Sequence, residues 1–141
     1  MRSGFAEPVS QMIGTVSVTA NGSVVTGVST YFDTQMTVGD IIKVTGNEEE
    51  RKVTVIGSNT SITVENPFVV TAATSTFSRE WEYAAAFDDT PTTTAHVAKA
   101  MGAYDELHIV IEDEDGDITG ANNTIMETYS GVSVASGSKT E

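Results

Sequence analysis

At 141 residues, without cysteine and with a formal charge of −13, the chain has room for one ordinary domain or two small ones, held together by their cores alone. Disulfides and thiolate metal sites are excluded. No apolar run approaches the roughly 20 residues that span a bilayer, so a soluble chain is expected. The charge is uneven: residues 1–78 hold 7 acidic and 4 basic residues, net −3, whereas 79–141 hold 13 and 3, net −10. So negative a second half repels phosphate backbones and anionic headgroups, which argues against nucleic acid or a membrane as its partner. The plain alternative for these charges is surface solubility.

Residues 1–12 mix Arg2, Gly4, Glu7 and Pro8 with scattered apolar residues and predict a flexible arm. From Ile13 the text becomes β. Thr15-Val16-Ser17-Val18-Thr19 alternates with period two, Asn21-Gly22 is a strong hairpin signal, and Ser23-Val24-Val25-Thr26-Gly27-Val28 returns. After the Gly39-Asp40 turn, Ile41-Ile42-Lys43-Val44-Thr45 and Lys52-Val53-Thr54-Val55-Ile56 flank a polar turn and predict a second hairpin. Gly57-Ser58-Asn59-Thr60 breaks the chain before Ser61-Ile62-Thr63-Val64-Glu65, and a closing segment runs from Pro67 towards Phe77. Five or so short strands at roughly ten-residue intervals predict a small antiparallel β-barrel or sandwich over 13–79.

The strand rhythm stops near 78–82, and an α/β portion is expected over 80–141, so that the whole chain reads as α+β. Thr92, Thr93 or Thr94 can cap a short helix over 94–101, with Gly102 placed to stop it and Val97, Ala100 and Met101 on one face, expected to lie against the Leu107–Ile111 strand. Leu107-His108-Ile109-Val110-Ile111 has the character of a central strand covered on both faces. The acidic turn Glu112-Asp113-Glu114-Asp115-Gly116-Asp117 follows, its Asp-Gly pair suited to a tight reversal. Asn122 or Asn123 can cap a second short helix over 123–130, with Ile125, Met126 and Tyr129 on one face and Gly131 to end it. Val132-Ser133-Val134-Ala135 can pair as a further strand, and the last residues read as frayed.

Several pieces of this half carry a resemblance. They are Trp81-Glu82-Tyr83 followed by Phe87-Asp88, the run Ala103-Tyr104-Asp105-Glu106-Leu107-His108-Ile109-Val110, the acidic turn with Ile118-Thr119-Gly120, and Gly131-Val132-Ser133 with Ala135-Ser136. In order and spacing, residues 81–136 resemble the middle of the contractile tail sheath protein of myoviruses, in particular the T-even and cyanophage group. The first half resembles small β-modules scattered through phage tail and virion proteins. The resemblance implies a structural virion protein, a segment or shortened form of a sheath subunit. Its partners would be copies of itself or other phage tail proteins, its place the phage tail, and its site of assembly the host cytoplasm. Sheath subunits stack as helical rings around a tube and work by rearranging contacts, without breaking a bond in a substrate.

Chemistry-bearing motifs are few. Asp113, Asp115 and Asp117 stand at alternate positions, but placing Asp113 first in a calcium loop puts Ile118 where the sharp-turn glycine belongs; a looser divalent site is the remaining reading beside a solvated turn. His96 and His108 lack ligand-spaced companions and read as ordinary surface or core residues. No nucleophile motif, phosphate loop or marked pair of carboxylates occurs, so neither a catalytic residue nor a metal or cofactor is expected, and the chain does not read as an enzyme. Trp81, Tyr83 and Phe87 alternate; interdomain packing is one use for them and a sugar-stacking platform the other. The alternative function is therefore a virion decoration module that binds carbohydrate or a host surface.

Overall fold

The computed structural model describes residues 10–136. In chain order the elements are β1 (Ser10–Gln11), β2 (Thr15–Val18), β3 (Val24–Val28), α1 (Phe32–Gln35), β4 (Ile41–Val44), β5 (Glu50–Ser58), β6 (Ser61–Val64), β7 (Ala72–Ser75), β8 (Phe77–Glu80), α2 (Ala95–Lys99), β9 (Glu106–Asp113) and β10 (Thr124–Ser133). One compact unit ends at Glu82 and the other begins at Tyr83. No helix among the described residues is long and apolar enough to cross a membrane.

The first unit is one antiparallel sheet with strand order β1-β8-β4-β5-β6-β3-β2-β7. Only Thr76 separates β7 from β8, yet β7 forms one edge and β8 lies beside the other. A single extended segment can serve both places only if the sheet curls, so the unit is barrel-like. The bend falls within β5, whose first residues pair with β4 and whose remainder pairs with β6. Register slips after Val53 and after Ile56 place bulges at Thr54 and Gly57, and bulges sharpen twist and bend a strand.

Period-two alternation sends Val16, Val18, Val25, Ile42, Val44, Val53, Ile62 and Val64 inward. Their curled layer leaves room for large groups, and Phe32, Met36, Phe68 and Phe77 fill it, each at most 1% exposed. The sequence reading did not anticipate α1. This single turn carries Phe32 into the core, where its ring meets Phe77 edge to face at 5.6 Å between centroids. Gly27 lies on the inner face of β3, where an added Cβ would stand 2.1 Å from Thr30 Oγ1; only hydrogen fits.

The turns are tied by polar contacts. The β2–β3 hairpin forms, but its loop is five residues long. Asn21, at φ +62, sits in a turn closed by Gly22 N–H to the Thr19 carbonyl, while Phe68 N–H donates to the Gly22 carbonyl at 3.0 Å. Glu49 accepts the Val69 and Val70 N–H groups and pairs with Arg51, whose guanidinium lies 5.3 Å from the Phe68 ring centroid. Asp40, 4% exposed, accepts the Thr37 N–H at 2.7 Å and pairs with Arg79 at 3.3 Å.

Four expectations need correction. Residues 10–12 do not belong to a free arm: β1 pairs with β8, and Met12 packs against the core because an unpaired sheet edge and an apolar side chain are both satisfied there. The rest of the expected arm, residues 1–9, and the expected frayed end, 137–141, lie outside the described residues. The segment expected as a helix over 123–130 is strand β10. Its β-branched and aromatic residues Thr124, Ile125, Thr128, Tyr129 and Val132 favour extended backbone, and β9 supplies the hydrogen-bonding partner. Accordingly β9 is one of two strands in an antiparallel ribbon and not a central strand covered on both faces. Finally, α2 forms with Thr94 as its cap, but Ala100 and Met101 are exposed instead of packed on a strand, because five residues give the helix no buried face. Met101, at φ +57, and not Gly102 takes the left-handed position that ends it.

Candidate interaction surface

The second unit is built around a two-stranded ribbon, an arrangement only marginally stable by itself. Three side chains of β9 and its approach hold the ribbon to the loops around it. Asp105, 6% exposed, accepts the N–H and hydroxyl of Thr94, both at 2.8 Å, and the hydroxyl of Ser133. It thereby joins the cap of α2 to the end of β10. Burial pushes the Asp105 carboxyl up, but the Ser133 and Thr94 hydrogen bonds outweigh that and hold it below the usual aspartate range.

At the other end Asp113, 3% exposed, accepts the Ile118 and Thr119 N–H groups and the Thr119 hydroxyl on one oxygen. The Thr119 N–H, ahead of the cost of burial, lowers its pKa. Gly116, at φ +77, makes the reversal for which its position in the acidic turn suits it. The carboxylate at the head of this turn thus organises the loop backbone. No group of three or more His, Cys, Asp or Glu side chains among the described residues could hold a metal ion.

Midway, His108 donates Nε2–H to the Asp89 carbonyl at 2.6 Å and accepts the Gly131 N–H on Nδ1 at 3.1 Å, an arrangement that fixes the neutral tautomer. Phe87 stacks on the imidazole at 4.2 Å. Tyr83 donates its hydroxyl to Glu112 on the same side of β9. His108 is therefore a packed, doubly bonded residue, while His96 is exposed on α2. The aromatic group has diverse surroundings: Phe87 lies on His108, the Tyr83 hydroxyl is taken by Glu112, and Trp81 is half-buried in the first unit.

Side chains alternate along a strand, so the opposite face of the ribbon carries Leu107, Ile109 and Ile111 from β9. Their partners across the ladder are Val132, Tyr129 and Glu127 respectively. Ile109, Ile111 and Tyr129 are 37%, 42% and 45% exposed. The result is an apolar strip on a strongly acidic unit, the setting in which proteins present contact surfaces. The Leu-His-Ile-Val text displays the apolar residues, but the strip depends on β10 being a strand, which the sequence reading missed. Comparison with protein-family models, with curated proteins and with solved structures finds no match.

Proposed function

We propose that the chain is a structural virion protein, a segment or shortened form of a phage contractile tail sheath subunit that acts through contacts between subunits and not as an enzyme. The observation that carries this reading is the half-exposed Ile109–Ile111–Tyr129 strip, which falls within the residues that resemble the sheath family. An apolar strip on a ribbon is suited to burial against a neighbour, and its partners in this reading are copies of the chain or other phage tail proteins. The chain is taken as α+β, a barrel-like module followed by a portion whose helical share is α2. Its place is the phage tail, after assembly in the host cytoplasm.

The alternative of a carbohydrate- or host-binding decoration module draws less support. A sugar platform needs open, coplanar rings, whereas the Phe87 face is occupied by His108. Electron microscopy of the concentrated chain separates the readings: rings or tubes support the sheath segment, and glycan binding by particles that never assemble supports the decoration module.

A further inference from the structure

Charge is missing from a run of adjacent strands in the first unit. Strands β2, β3, β6 and β7, with residues 53–58 of β5, contain no Asp, Glu, Lys or Arg, although the chain has 27 of these residues. Paired residues of adjacent strands share a face, so the registers define what points outward. One row joins Ser17, Thr26 and Ser61; another joins Val24, Thr63 and Val55. Val24 and Val55 are each 52% exposed. Protein surfaces ordinarily intersperse charges of both signs, which limits self-association. Here four whole strands and the second part of β5 carry none.

We infer that this face is the docking surface for a second copy of the chain, which meets its own likeness across a two-fold axis by sheet-on-sheet packing. Charge selects the occupant. Two chains of net −13 repel wherever their acidic surfaces approach within the screening length of about 8 Å at physiological salt, and the hydroxyl and valine rows let them meet without opposing carboxylates. A basic partner would gain more from the acidic second half than from this face. Along the curled sheet, five strands about 4.8 Å apart, each about 14 Å long, present at most roughly 350 Å² of outer surface. A standard interface buries about 800 Å² per partner, so the dimer is weak. This inference stands apart from the sheath reading, since it uses the barrel-like unit and not the ribbon.

Sedimentation equilibrium of the full chain, from about 10 μM to about 1 mM at low and high sodium chloride, tests it. The expected result is a monomer–dimer equilibrium that tightens with salt, because salt screens the repulsion between copies. Thr26→Glu and Thr26→Lys should each weaken dimerisation more than about tenfold, since either buries an unpaired charge although they alter the net charge in opposite directions. Met101→Glu, at a position 96% exposed in the second unit, should leave it nearly unchanged. Circular dichroism checks that each variant is folded, and Val24→Lys replaces any Thr26 variant that is not. A chain that stays monomeric throughout, an association that weakens with salt, or folded variants that dimerise like the wild type would overturn the inference.

Discussion

Gly131 donates its backbone N–H to Nδ1 of His108 across the ribbon, at the point where two residues of β10, Ser130 and Gly131, stand opposite one residue of β9. A bulge leaves an N–H without a ladder partner, and the imidazole supplies one. Because Nε2–H is held by the Asp89 carbonyl, the same ring joins the strand pair to the loop before α2. Replacing His108 with Ala removes both hydrogen bonds and the stack on Phe87. The expected loss is about 1–3 kcal/mol, read from urea unfolding of the second unit by its amide signals.

Gly131 should tolerate asparagine better than valine. Its φ of +63 lies in the left-handed region, while the nearest atom to an added Cβ is a Glu106 carboxyl carbon at 3.8 Å, so the penalty is conformational and not a clash. Gly131→Val is expected to cost about 1–2 kcal/mol and Gly131→Asn clearly less, a ranking that thermal unfolding checks.

Acid should act through the two buried aspartates of the ribbon. Asp105 and Asp113 have folded-state pKa values below the ordinary aspartate range. Their stabilisation is therefore present above the unfolded-state pKa and is lost as pH falls through the folded one. Asp40 has the opposite sign: burial, against the Thr37 N–H and Arg79, raises it, so its contribution is present below the unfolded-state pKa and lost as pH rises through the folded one. Carboxyl carbon shifts followed by NMR should place the Asp40 midpoint above those of Asp105 and Asp113. Asp113→Asn should flatten the acid side of the stability profile.

In the first unit three phenylalanine rings fill a core that is otherwise aliphatic. Phe77→Ala empties the position that Phe32 meets edge to face and should cost about 3–5 kcal/mol. Val69→Ala, at a side chain 73% exposed, should stay within about 0.5 kcal/mol. Urea midpoints compare the two.

Strands β2, β3, β4 and β6 were legible because each is short, alternates with period two and lies between turn residues, and Lys52-Val53-Thr54-Val55-Ile56 falls within β5; β1 and the division of the closing segment into β7 and β8 were not, because pairing partners far along the chain decide them. The α1 turn was not legible, because Phe32 and Met36 look like loop residues until a curled sheet opens a hole for them. Ile125, Met126 and Tyr129 satisfy a helical spacing by accident; β-branched neighbours and the partner strand decide otherwise. The Asp105 cluster joins residues 11 and 28 positions away, a distance at which local patterning carries no signal. His108 read as an ordinary residue; its bond to Gly131 depends on the bulge in β10 and its bond to Asp89 on the loop before α2, neither of which local patterning displays.

The most direct test of assembly through the ribbon is negative-stain microscopy of the concentrated chain beside a folded Ile109→Lys/Ile111→Lys variant, with particle sizes checked by sedimentation. Wild-type rings or tubes, lost in the variant while any dimer formed by the charge-free sheet persists, are the expected result. Wild-type particles no larger than a dimer, or a variant that assembles equally well, would contradict a sheath-like role for the Ile109–Ile111–Tyr129 strip.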